Sequence, residues 1–121
     1  PPRSTLSPSS AASDVYKRQI IGAGTYASRR GAASGTGVGE AAMLTMGAYR
    51  VVSLIEEGLS PGEAAARVVL QIERETGLPF GFIALSSDGE YGMAQTGYGL
   101  YWAVFGDSGG EAGVLTVRPQ R

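Results

Sequence analysis

Residues 60–94 read SPGEAAARVVLQIERETGLPFGFIALSSDGEYGMA, and the hydrophobic period changes once within this stretch. In the first half Ala65, Val68, Val69 and Ile72 recur at helical spacing, while Arg67, Gln71 and Arg74 fall on the other side. Ser60-Pro61-Gly62-Glu63 predicts the start of that helix. It is a capping-box sequence, with Pro at the first helical position, where its missing N–H costs nothing. Gly77 and Pro79 predict the stop. From Phe80 the period is two. Phe80-Gly81-Phe82-Ile83-Ala84-Leu85 reads as a strand, Ser86-Ser87-Asp88-Gly89 as a hairpin turn, and Glu90-Tyr91-Gly92-Met93-Ala94 as the partner strand.

Upstream, Glu40 to Glu57 carries another helical period. Leu44, Ala48, Val51, Val52 and Ile55 fall on one face, and Gly58 is the expected left-handed stop. Ahead of it, Gly31-Ala32-Ala33-Ser34-Gly35-Thr36 is a run of small residues that predicts a strand packed close to a neighbour. Ile20 to Ala27 reads as strand or loop, and Arg29-Arg30-Gly31 as an exposed turn. Downstream, Leu100 to Phe105 predicts a third strand, Gly106 to Gly113 a loop, and Val114-Leu115-Thr116-Val117 an edge strand. Strand, two helices and an antiparallel meander make a layered α+β pattern. Two helices on one face leave the other sheet face needing a further layer.

Residues 1–19 do not share this logic. Pro1-Pro2-Arg3-Ser4-Thr5 and Ser9 to Gln19 have neither period nor cap. As composition, this is a disordered, Ser/Pro-rich tail; as a string, it resembles a sequencing-library adapter translated in frame. The functional reading therefore starts at Ile20, with 1–19 an adapter-like tail and 20–121 one partial domain. Those 102 residues suffice for one small core. They carry seven arginines against ten acids, a net charge of −3, and no basic stripe to drive nucleic-acid binding. There is no Cys and no His, which excludes disulfides, the usual zinc sets and the commonest general base. No apolar run reaches the length of a membrane-spanning helix.

The segment Ser34-Gly35-Thr36-Gly37-Val38-Gly39-Glu40 carries the chemistry. There a small-residue strand runs into a helix, bringing a hydroxyl and backbone N–H groups to a place that suits an anion or a developing oxyanion. Taken alone, the same glycines equally suit a tight strand-to-helix turn.

These residues also resemble a family. Ile20-Ile21-Gly22-Ala23-Gly24-Thr25-Tyr26-Ala27, Thr36-Gly37-Val38-Gly39-Glu40, Gly58-Leu59-Ser60 with Glu63-Ala64-Ala65, Gly81-Phe82-Ile83-Ala84-Leu85 and Gly89-Glu90-Tyr91-Gly92 stand in the order of the β-subunit of N-terminal-nucleophile (type 2) asparaginases. They are nearest to the bacterial glycosylasparaginase branch. The resemblance implies a fragment of an αββα-sandwich hydrolase that cleaves the side-chain amide of asparagine derivatives, with no cofactor and no metal. It implies that the Thr36 hydroxyl and the Gly37 N–H stabilise the oxyanion. It further implies that the Gly37 carbonyl holds the substrate α-ammonium and that Gly39 keeps the pocket wall low. Val38 stands where many relatives have His, and Glu40 is a charge at the helix start.

The family's nucleophile is a threonine freed by self-cleavage, whose own α-amine is the base. Neither Thr25 nor Thr36 fits that role. The nucleophile and the substrate-clamping Arg and Asp are expected upstream of Ile20, so that the α-subunit and the N-terminal part of the β-subunit are the segments this chain is expected to lack. The implied partners are thus a small amide substrate, those segments, and further αβ units in a homo-oligomer, with no nucleic acid and no membrane. This chain by itself is expected to be inactive.

Three other readings stay open at this level. An isoaspartyl peptidase/L-asparaginase of the same family differs by a Gly-Gly step and a Pro-Phe-Asn-Thr-like stretch, where this chain has Pro79-Phe80-Gly81 and Ala94-Gln95-Thr96-Gly97-Tyr98-Gly99. A non-catalytic oligomeric interaction domain would also accommodate helices and a glycine-rich meander. A dinucleotide site fits Gly22-Ala23-Gly24, but the required helix does not follow. Tyr98, Tyr101 and Trp102 either pack in a strand or line a sugar-accepting mouth.

Overall fold

The computed structural model describes residues 20–97, 99–107 and 109–115. The adapter-like stretch 1–19, Tyr98, and the Thr116-Val117 end of the expected edge strand lie outside them. The elements are β1 (Thr25–Ala27), β2 (Gly31–Gly37), α1 (Gly39–Thr45), α2 (Gly47–Glu56), α3 (Pro61–Thr76), β3 (Phe80–Ser86), β4 (Tyr91–Gln95), β5 (Leu100–Gly106) and β6 (Gly109–Leu115). Strands β1-β2-β3-β4 form one antiparallel sheet in that order, and β5-β6 a separate hairpin. The fold is α+β, with the helices layered on one face of the sheet.

Helix α3 is built as its sequence dictates. The Ser60 hydroxyl accepts from the Glu63 N–H at 3.3 Å, and Gly77 closes the helix at φ +71. Its buried face is Pro61, Ala64, Ala65, Val68, Val69 and Ile72. This face meets Phe80, Phe82, Ala84 and Ala94 of the sheet, together with Val51, Val52 and Ile55 of α2, in one core. Fully burying a Val or Ile side chain contributes roughly 1.5–3 kcal/mol, so this cluster dominates the stability of the layer pair. The approach is close at Gly92, where a methyl group would lie 2.2 Å from the Gly62 nitrogen. Only a bare backbone lets α3 sit this low on β4.

Three expectations are corrected. The single helix from Glu40 to Glu57 is two helices, broken at Met46, which adopts φ +52, ψ +47. The Ala48 and Tyr49 N–H groups donate to the Ala23 and Gly22 carbonyls, at 3.0 and 2.9 Å, instead of to a preceding turn. The break rotates the first segment, so that Ala41, Ala42 and Thr45 are buried and Leu44 is 77 % exposed rather than in the core. Second, β5 does not extend the meander. Thr96 fastens the end of β4 to Phe80 through its N–H and its hydroxyl. Gly97, at φ +79 over Pro79, then turns the chain out of the sheet. Third, residues 109–113, expected as loop, are strand paired to β5. Gly113 lies under the Trp102 indole, where a Cβ would be 3.0 Å from the ring, so its bare backbone accepts the aromatic.

Candidate active site on the open sheet face

The sheet face away from the helices is organised by register. Directly paired residues point to the same side, which gives three rows across the strands. The first is Ala27, Ala32, Leu85 and Tyr91; the second Thr25, Ser34, Ile83 and Met93; the third Thr36, Gly81 and Gln95. Polarity rises from the first row to the third. Over the first two lies a cavity of about 310 Å³, bounded on the far side by Trp102, Ala103 and Val104 of β5. Ile83 and Leu85 remain 51 % exposed beneath it. The hydroxyls of Thr25 and Ser34 lie 3.4 Å apart at its polar end, one row short of Thr36.

Thr36 and Gly37 are both exposed, at the point where β2 gives way to α1. The residue across from Thr36 is Gly81, so no side chain stands beside the hydroxyl on that strand. Beneath them the backbone rests on Phe80. A methyl group at Gly35 would lie 2.5 Å from Phe80 Cε1, and one at Gly37 2.5 Å from Phe80 Cδ2. Gly37 also has φ +145, a conformation that favours glycine. Phe80 is fully buried and packs on Phe82 with ring centroids 5.0 Å apart, so the support is rigid.

Val38 caps α1 with its carbonyl, 37 % exposed and without a side-chain cap bond. Gly39 is buried as the first residue of α1, behind the exposed pair, and Glu40 is exposed in the first turn. The helix at this junction has seven residues, not the eighteen expected. Its negative end is thus only about 10 Å from its positive one, which weakens the field the N-terminus can supply. Stabilising negative charge here falls mainly to local groups.

Thr25 and Thr36 are both peptide-bonded inside strands, so neither has an α-amine at hand. Among the described residues no group of three His, Cys, Asp or Glu could hold a metal ion, and no helix is long and apolar enough to cross a membrane. Of the three aromatics, Trp102 lines the cavity, Tyr101 is 86 % exposed, and Tyr98 lies outside the described residues. Sequence reading passed over Gln95, which shares a row with Thr36. Its signal was the alternation Tyr91, Met93, Gln95, which keeps all three on the open face.

Residues 15–114 match the family model described as Asparaginase, a span that begins inside the adapter-like stretch. The chain is 37 % identical over 99 residues to an N(4)-(beta-N-acetylglucosaminyl)-L-asparaginase of Elizabethkingia miricola, covering 74 % of this chain and 29 % of the relative. It is 36 % identical over 93 residues to an isoaspartyl peptidase of Salmonella typhimurium, covering 74 % of this chain and 30 % of that protein. A putative isoaspartyl peptidase/L-asparaginase of Dictyostelium discoideum is 45 % identical over 53 residues, 43 % of this chain and 15 % of the relative. The chain thus spans under a third of the length of these curated relatives, and two branches match it almost equally. With the match covering most of its length and the α+β layers in agreement, the chain belongs to the asparaginase family.

Proposed function

We propose that the whole protein is an amidohydrolase that cleaves the side-chain amide of asparagine derivatives, and that this chain supplies the oxyanion side of its active site. The carrying observation is the exposed Thr36-Gly37 pair, held rigidly over Phe80 beside Gly81, which brings no side chain of its own. In this reading a threonine from a segment outside this chain attacks the side-chain carbonyl carbon, and its α-amine takes the hydroxyl proton. The charge that forms on the carbonyl oxygen is met by the Thr36 hydroxyl and the Gly37 N–H, groups fixed before the reaction begins. Collapse expels the amine, which takes up the proton, and water then hydrolyses the aspartyl ester. The Gly37 carbonyl holds the substrate ammonium, and Gly39 keeps side-chain bulk away from the junction.

The same segment brings a second sheet to the open face, completing an αββα sandwich over Ile83, Leu85 and Tyr91. The 121-residue polypeptide alone, without a threonine that carries its own α-amine, does not turn over substrate. Glycosylasparagine is the first substrate to test. A β-aspartyl peptide is the second, favoured by the 36 % identity to the Salmonella isoaspartyl peptidase. The test is incubation of the full-length protein with each amide, followed by mass spectrometry of the trapped ester. The expected result is hydrolysis with an aspartyl ester on a threonine outside residues 20–115. No hydrolysis, or an ester on Thr25 or Thr36, overturns the proposal. The first of these outcomes leaves the non-catalytic interaction domain as the surviving reading.

A further inference from the structure

We propose that Gln95 is a specificity-determining residue that reads the leaving group of the amide substrate; this rests on the amidohydrolase reading above. The register sets Thr36, Gly81 and Gln95 side by side on the open face. Gly81 leaves the middle position empty, and the Gln95 side chain enters it. A methyl group at Gly81 would lie 2.7 Å from Gln95 Oε1 and 3.2 Å from Gln95 Cδ. The carboxamide therefore lies across β3 instead of standing out from β4. Adjacent strands are about 4.8 Å apart, so the carboxamide ends roughly one strand spacing from Thr36. A substrate carbonyl whose oxygen sits at Thr36-Gly37 places the substituent on its outgoing amine, and not the nitrogen itself, within reach of this group.

The chemistry of the position points to one class of leaving group. A carboxamide offers two donors and one acceptor without charge. It suits a neutral group rich in hydroxyls and amides, such as an N-acetylated amino sugar. None of the residues in the three rows of this face is charged, so a carboxylate on the leaving group meets no counter-ion from it. Gln95 thus favours a glycosylamine over an amino acid as the departing amine, while ammonia is too small to reach it.

The test compares three substrates with the same aspartyl half: asparagine, N4-(β-N-acetylglucosaminyl)-asparagine and a β-aspartyl dipeptide. Full-length protein is assayed as Gln95→Ala and as Gln95→Met, which keeps the length of the side chain over Gly81 but removes its hydrogen-bonding groups. The expected result is that kcat/KM for the glycosylamide falls about ten-fold, the value of one neutral hydrogen bond. Asparagine is expected to stay within about two-fold, and the ratio of glycosylamide to dipeptide to shrink about ten-fold. Equal losses on all three substrates in Gln95→Met, or no change on any, overturn the proposal. If the unmodified protein hydrolyses none of them, the amidohydrolase reading itself fails, an outcome distinct from either.

Discussion

Replacing Gly92 by alanine tests how the helix layer sits on the sheet. The added methyl group would lie 2.2 Å from the Gly62 nitrogen, 2.4 Å from the Gly62 Cα and 3.0 Å from the Pro61 carbonyl carbon, all of them backbone atoms at the start of α3. Non-bonded carbons are comfortable at about 3.5–4.0 Å, so α3 has to rise by about 1 Å at that end. A gap of that size forfeits a quarter to a half of each dispersion contact beneath it, including those of the buried Ala64, Ala65 and Val68. Overpacking of this kind costs roughly 1–3 kcal/mol, and the upper end applies because helix backbone cannot step aside as a side chain does. Gly106→Ala is the control, since nothing lies within 4 Å of its Cβ position. Thermal melting of the full-length protein should show Gly92→Ala lower by at least about 6 °C and Gly106→Ala within about 2 °C of the parent. If Gly92→Ala melts with the parent, α3 does not rest on the β4 backbone and the layer geometry is wrong.

Two further predictions concern stability and completeness. Ser60→Ala removes the bond to the Glu63 N–H and is expected to cost about 1 kcal/mol, read from the urea midpoint of the full-length protein. An unchanged midpoint would mean that Pro61 alone sets the helix start. The 121-residue chain by itself, with Ile83, Leu85 and Tyr91 43–51 % exposed on the open face, is expected to melt broadly and to bind a hydrophobic dye. A sharp, high-temperature transition without dye binding would contradict the need for a second layer.

The parts of the fold legible in the sequence were those settled within a few residues. Ser60 and Gly77 bound α3 by local hydrogen bonding, and the alternation from Phe80 to Leu85 could serve only as a strand with one face inward. The break at Met46 was not legible, because the residue that takes the positive φ is a methionine, and Gly47 after it reads equally as a small residue within a continuous helix. Its cause is tertiary: the carbonyls of Gly22 and Ala23 accept the N–H groups that a continuous helix would have used. The departure of β5 likewise depends on Thr96 and Gly97 at the end of a pairing that no periodicity reports. The strand identity of 109–113 was hidden by its glycines, of which Gly113 lies beside Trp102. At the site, the strand-to-helix junction at Thr36-Gly37 was legible from its small residues. Gln95 was not, since its place beside Thr36 follows from the register of three strands spread over sixty residues of chain.

The account turns on the Thr36 hydroxyl meeting charge that exists only in the transition state. The most direct measurement is steady-state hydrolysis of glycosylasparagine by the full-length protein carrying Thr36→Ala, with Thr36→Ser beside it. Loss of one such donor is expected to lower kcat about 10²–10³-fold with KM nearly unchanged, while the serine variant, which keeps the hydroxyl, retains most of the rate. A Thr36→Ala protein with undiminished kcat, or a loss expressed wholly in KM, would contradict it.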